Sequence, residues 1–188
     1  AYDLDVIEEW RTGFQDKSAP AGVQADVWER VEYLKSMGYT HFPMVMSVMG
    51  RRAGKGLIGG VIGAERMGYM VGLDNPQDYF GIAAGKSIWL PVLATNWRQA
   101  KKFLFADIRQ TVEGNDWLSK RIATSNEYMI SLRTNADLRQ IASSRARGLP
   151  IDREIASVRA EAFPVSSSSG RGGASFANMY DEFAHLVG

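Results

Sequence analysis

The chain has 188 residues, 45% hydrophobic, 11% aromatic and 23% charged, with a net charge of +1, which is the composition of one globular domain large enough to bury its own core. It has no cysteine and only two histidines, His41 and His185, which excludes disulfide frameworks, thiolate metal sites, thiol catalysis and a histidine-built metal centre. No apolar run approaches the ~20 residues of a membrane span, and the acidic stretch from Ala1 to Trp10 does not read as a signal peptide.

Charge is unevenly spread. Residues 1–32 carry eight acids against three bases, whereas residues 97–159 carry twelve bases against seven acids. A basic half of this kind fits phosphate contacts as well as it fits solvated helix faces.

In chain order, the spacing predicts helices over Asp3 to Phe14 and Gly22 to Met37, the second with Val23, Val27, Val31 and Leu34 on one face and Gly38 as its stop. His41 to Met49 reads as a buried strand, its methionines as core filler. After the turn Gly50-Arg-Arg-Ala-Gly-Lys-Gly56, Leu57, Ile58, Val61, Ile62 and Ala64 recur at helical spacing. Gly59, Gly60 and Gly63 interrupt that helix, which implies close packing, expected against a sheet. Residues 72–86 read as loop. Ile88 to Ala94 is a second apolar strand, placed at an edge or bulge by Pro91. Thr95 or Asn96 caps a helix from Trp97 to about Val112 that buries Trp97, Ala100, Leu104, Ile108 and Val112. Glu127 to Arg133 reads as strand, Ala136 to Ser144 as helix, and Ile155 to Val165 as strand with Val158, Ala160 and Ala162 alternating. A Ser/Gly loop over 166–173 precedes a last strand from about Ser175 to Tyr180, which ends on Asp181 and Glu182. Strands alternating with helices predict an α/β fold with an at least partly parallel sheet.

Two segments carry chemistry. An apolar strand, a turn containing Gly54, Lys55 and Gly56, and a helix form the layout of a phosphate-binding loop. Glycines let backbone N–H groups face phosphate oxygens, the helix dipole points at them, and the lysine reaches the β and γ phosphates. The loop departs from G-x-x-x-x-G-K-[ST], with Met49 at the first glycine and Gly56 where a Ser or Thr hydroxyl ordinarily binds Mg²⁺. Alone, the heptad reads equally as a surface turn. The second segment is Asp181-Glu182 at a strand end. In a nucleoside triphosphatase such an Asp organises Mg²⁺ and its waters, and the neighbouring Glu orients and deprotonates the attacking water; alone, the pair reads as solvated acids. Together they point to an ATP site at the carboxyl ends of the strands.

These residues resemble the large terminase subunits of tailed bacteriophages, ATP-driven motors that package DNA. The carriers are Gly50 to Gly56 after an apolar strand, Leu93 to Ala100 ending in Gln-Ala, the Arg171-Gly172 pair, and Met179 to Leu186, similar to the Walker B strand and its continuation. The resemblance covers about residues 40–188, the G-K-G loop being like that of actinobacterial phages.

It implies a P-loop NTPase with a mainly parallel central sheet flanked by helices over 40–188, preceded by a helical lead-in over 1–39. Gly50, Arg51, Arg52, Ala53, Gly54, Lys55 and Gly56 would bind ATP, with Arg51 sensing or stabilising the γ-phosphate and Arg52 as the neighbouring candidate. Asp181 would organise Mg²⁺ through water, and Glu182 would be the catalytic carboxylate. Gly56 leaves open how Mg²⁺ is held. Gln24 or Trp28 reads as an adenine contact, or as a surface Gln and a core Trp. The implied partners are double-stranded viral DNA, a portal protein, a small terminase subunit and further copies in a ring, in the host cytoplasm and without a membrane. The ATPase core is expected to be incomplete at its C-terminus, with no nuclease activity from these residues. The alternatives are another nucleic-acid P-loop ATPase, helicase-like or recombinase-like, or a degenerate P-loop fold that binds without hydrolysis.

Overall fold

A computed structural model of the chain describes Glu29 and residues 32–38, 54–151, 155–164 and 173–181, excluding the Lys101 side chain. The chain divides into two compact units, Ala1–Gly50 and Arg51–Gly188. In the first unit residues 32–36 are helical. They stop at Gly38, whose φ of 79° is open to glycine and whose N–H bonds the Lys35 carbonyl at 2.9 Å. The expected helix over 3–14, most of the helix over 22–37 and the strand over 41–49 lie outside the described residues.

The second unit is an α/β layer structure. Its elements are α1 (Lys55–Gly72), α2 (Pro76–Phe80), β1 (Ile88–Ala94), α3 (Trp97–Lys102), α4 (Leu104–Gly114), β2 (Ile122–Ser125), β3 (Met129–Leu132), α5 (Asn135–Ala146), β4 (Val158–Pro164), β5 (Ala174–Ser175) and β6 (Met179–Tyr180). The six strands form one sheet, ordered β2-β3-β4-β1-β5, with β6 also on β1. Pairings of β1 with β4, β5 and β6 are parallel, whereas β2–β3 and β3–β4 are antiparallel. The sheet is therefore mixed where a mainly parallel one is expected. The reversal begins at a tight turn. Asn126 Oδ1 accepts the N–H groups of Tyr128 and Met129 at 3.0 and 2.9 Å, and so short a connection can only return the chain antiparallel.

One face of the sheet supplies the core. Leu90, Val92, Ile130, Leu132, Val158, Ala160 and Ala162 are fully buried with Met67 of α1 and Phe105, Ile108 and Val112 of α4, each large side chain worth about 1.5–3 kcal/mol. The predicted alternation of Val158, Ala160 and Ala162 is this face of β4.

Pro91 is not at an edge. It lies in a strand paired on both sides, opposite Glu161 of β4. The Trp89 and Leu93 carbonyls accept from Phe176 and Asp181 at 3.0 and 2.8 Å, so by alternation the Pro91 nitrogen faces the same side. There the neighbouring chain is interrupted between β5 and β6, and no ladder donor is missed. Gly173 seats the start of β5 on the Trp89 ring, where a Cβ would stand 3.2 Å from the indole.

The predicted helix over 97–112 breaks at Phe103 (φ −108°, ψ −99°). Four residues of the predicted stripe, Ala100, Leu104, Ile108 and Val112, are buried across the break, whereas Trp97 is exposed. Asn96 is the cap, its Oδ1 accepting Gln99 N–H at 3.0 Å. The expected loop over 72–86 contains the short helix α2, and β2 is a strand that the sequence did not suggest. Thr134 and Asp137 form a capping box on α5. The Asp137 carboxylate also accepts Ser157 N–H and Oγ–H at 2.9 and 2.7 Å, tying α5 to the start of β4.

The glycines of α1 face a helix more than the sheet. A Cβ on Gly63 would stand 2.7 Å from Ile108 and 3.1 Å from Met179, and one on Gly59 would overlap Leu104. At Gly60 the obstacle is backbone, Asp107 C and O at 3.0 Å. Gly60→Ala gains about 1 kcal/mol of helix propensity but forces α4 outward, an overpacking cost of about 1–3 kcal/mol. The net cost of about 0–2 kcal/mol lowers the melting temperature by up to about 4–8 °C. A melt clearly above wild type would contradict the close crossing. No helix among the described residues is long and apolar enough to cross a membrane.

Candidate functional site

The site lies at the carboxyl edge of the parallel part of the sheet. β6 runs beside β1 with Val92 opposite Met179 and Leu93 opposite Tyr180. Asp181 follows immediately, fixed by its N–H on the Leu93 carbonyl at 2.8 Å. The strand end thus delivers a carboxylate beside the end of β1. Its residue is only 7% exposed.

Lys55 meets it. Lys55 is the first residue of α1, and its Nζ lies 3.1 Å from Asp181 Oδ1, hydrogen-bonded and ion-paired. Gly54 caps the helix with φ 79° and ψ 17°, a left-handed conformation suited to glycine. Because Gly54 has no side chain, the first N–H groups of an 18-residue helix carry no side-chain cap, leaving the donors and dipole end that phosphates use.

A third group stands at the same place. On Gly56, one residue into α1, a Cβ would overlap Asp107 Oδ2. Asp107 belongs to the first turn of α4. Its carboxylate makes no hydrogen bond or ion pair among the described residues. Desolvation by burial pushes its pKa up, and the Asp181 charge adds to this. Beyond β1, Asn96 Nδ2 donates to Gln99 Oε1 at 2.8 Å and Thr95 Oγ1 bonds the same oxygen, so the Gln-Ala segment opening α3 is locked to the strand end.

No protein-family model, curated protein or solved structure matches the chain. The functional reading rests on the site's own chemistry.

Of the residues predicted to form the site, Gly54, Lys55, Gly56 and Asp181 are described and come together. Gly50, Arg51, Arg52, Ala53 and Glu182 lie outside the described residues, as do Gln24 and Trp28. Of the basic side chains on α3 and α4, Arg98 and Lys102 are exposed. Arg109 is partly buried and donates to the Asn126 carbonyl at 2.8 Å, so it supports the β2–β3 turn. Sequence reasoning missed Asp107. Its one signal was Gly56, a loop position left without the oxygen that the chemistry calls for.

The donor set fits a hard divalent cation. Two carboxylates, Asp181 and Asp107, flank the loop, and the space a Gly56 side chain would fill already holds a carboxylate oxygen. Among the described residues no group of three or more His, Asp or Glu side chains gathers to enclose a metal. A Mg²⁺ ion here would take its remaining ligands from phosphates and water, its usual habit.

Proposed function

We propose that the chain is the ATPase portion of a DNA-packaging motor of the large terminase kind, a P-loop NTPase that hydrolyses ATP to drive double-stranded DNA into a procapsid. One observation carries the nucleotide part. A lysine opening a glycine-capped helix meets a carboxylate that ends a strand 126 residues later, 3.1 Å away. A phosphate site needs this pair at the carboxyl edge of an α/β sheet. The order of motifs supports the narrower reading.

In this reading the Gly54–Gly56 backbone and Lys55 bind the ATP phosphates, and Arg51 or Arg52 meets the γ-phosphate. Asp181 would help hold Mg²⁺, which when bound neutralises charge on the phosphate oxygens. Glu182 orients the attacking water and accepts its proton. Lys55 exchanges its Asp181 partner for phosphate oxygens, a charge-assisted contact in either state.

A ring motor can complete each site with an arginine from a neighbour, a contribution of about 10³–10⁵ in rate in other P-loop enzymes. Turnover per subunit should therefore be low in dilute protein and rise with protein concentration and with duplex DNA. The check is ATP hydrolysis over a wide concentration range, with and without DNA, using Lys55→Ala as the blank. Full activity independent of both would contradict the ring-motor reading. DNA-stimulated turnover unaffected by procapsid and portal would favour another nucleic-acid ATPase.

A further inference from the structure

Gly56 poses a problem for any nucleotide site built on this loop. The position ordinarily offers a hydroxyl to Mg²⁺, and glycine offers none. The packing of α1 on α4 supplies a replacement. Asp107 backbone atoms stand 3.0 Å from where a Gly60 Cβ would be. The Asp107 side chain covers Gly56, one turn nearer the start of α1, and its Oδ2 occupies the space of the missing Gly56 side chain. A Cβ at Gly60 would press on the α4 backbone, and one at Gly56 would displace the carboxylate from the space it fills.

Resting on the nucleotide reading above, we propose that Asp107 replaces the loop's missing hydroxyl as a protein ligand for the Mg²⁺ that accompanies ATP. The glycines of α1 then have a chemical consequence as well as a packing one, since they admit the helix that carries the ligand. A carboxylate is the stronger donor of the two for a hard cation. The Asp181 charge acts on Asp107, so both carboxylates would offset the charge of a divalent ion held there.

A purely structural Asp107 would act only on the first turn of α4, where an acid complements the helix dipole. The two roles separate in a swap. ATP affinity is measured by calorimetry for the full chain, once with Mg²⁺ and once with EDTA. Wild type should bind more tightly with Mg²⁺. Asp107→Ala and the isosteric Asp107→Asn should keep their affinity in EDTA and lose the Mg²⁺ enhancement, a loss of about 10-fold or more. Gly56→Ser with Asp107→Ala should regain it, because the hydroxyl now has room. Full Mg²⁺ enhancement in Asp107→Asn, or no recovery in a folded double variant, would overturn the proposal and leave the nucleotide site standing. Absence of ATP binding by wild type in both conditions would overturn the nucleotide reading itself.

Discussion

Replacing Lys55 by alanine should abolish ATP hydrolysis and weaken nucleotide binding. Lys55 is the lysine of the loop, and its Nζ already sits 3.1 Å from the strand-end carboxylate of Asp181. In the nucleotide-bound state its charge would meet the phosphates, where negative charge spreads in the transition state. Removing one such preorganised donor costs about 10²–10³ in rate. The Lys55 side chain is 52% exposed, so its removal opens no core cavity, although it takes an ion-pair partner from the buried Asp181 carboxylate and should lower the melting temperature. A circular dichroism spectrum near wild type at the assay temperature shows that the variant is folded, so the lost turnover reports on chemistry. Wild-type turnover in the variant would remove the phosphate-loop assignment.

Glu182→Gln should separate binding from chemistry. The glutamine keeps the shape and polarity of the side chain but cannot accept a proton. ATP should bind about as well as in wild type and be hydrolysed at least ~100-fold more slowly. Single-turnover hydrolysis beside equilibrium binding checks this. Equal losses in both would make Glu182 a structural residue.

Much of this arrangement is legible in the residues alone, for physical reasons. β1 and β4 announce themselves as apolar or alternating runs, and α1 as a helical spacing, because burial on one face imposes those periods. The meeting of Lys55 with Asp181 is legible because each sits where a strand or loop must end at the ligand edge of the sheet. Other features depend on partners that a linear reading does not see. Pro91 looks like an edge residue until the gap between β5 and β6 is known. Gly59, Gly60 and Gly63 signal close packing, but nothing local says that the neighbour is α4. Phe103 breaks a helix whose apolar stripe runs on without interruption. Asp107 was invisible because its meaning comes from Gly56, a residue far away in the chain that lacks a side chain.

The most direct test of the nucleotide site is competition at equilibrium. A fluorescent ATP analogue bound to the protein in Mg²⁺ is displaced by ATP, ADP or adenosine, in wild type and in Lys55→Ala. If Gly54, Lys55 and Asp181 build a phosphate site, ATP and ADP displace the analogue, adenosine does not, and the variant binds it at least ~10-fold more weakly. Displacement by adenosine as effective as by ATP, or equal binding by the variant, would contradict the account.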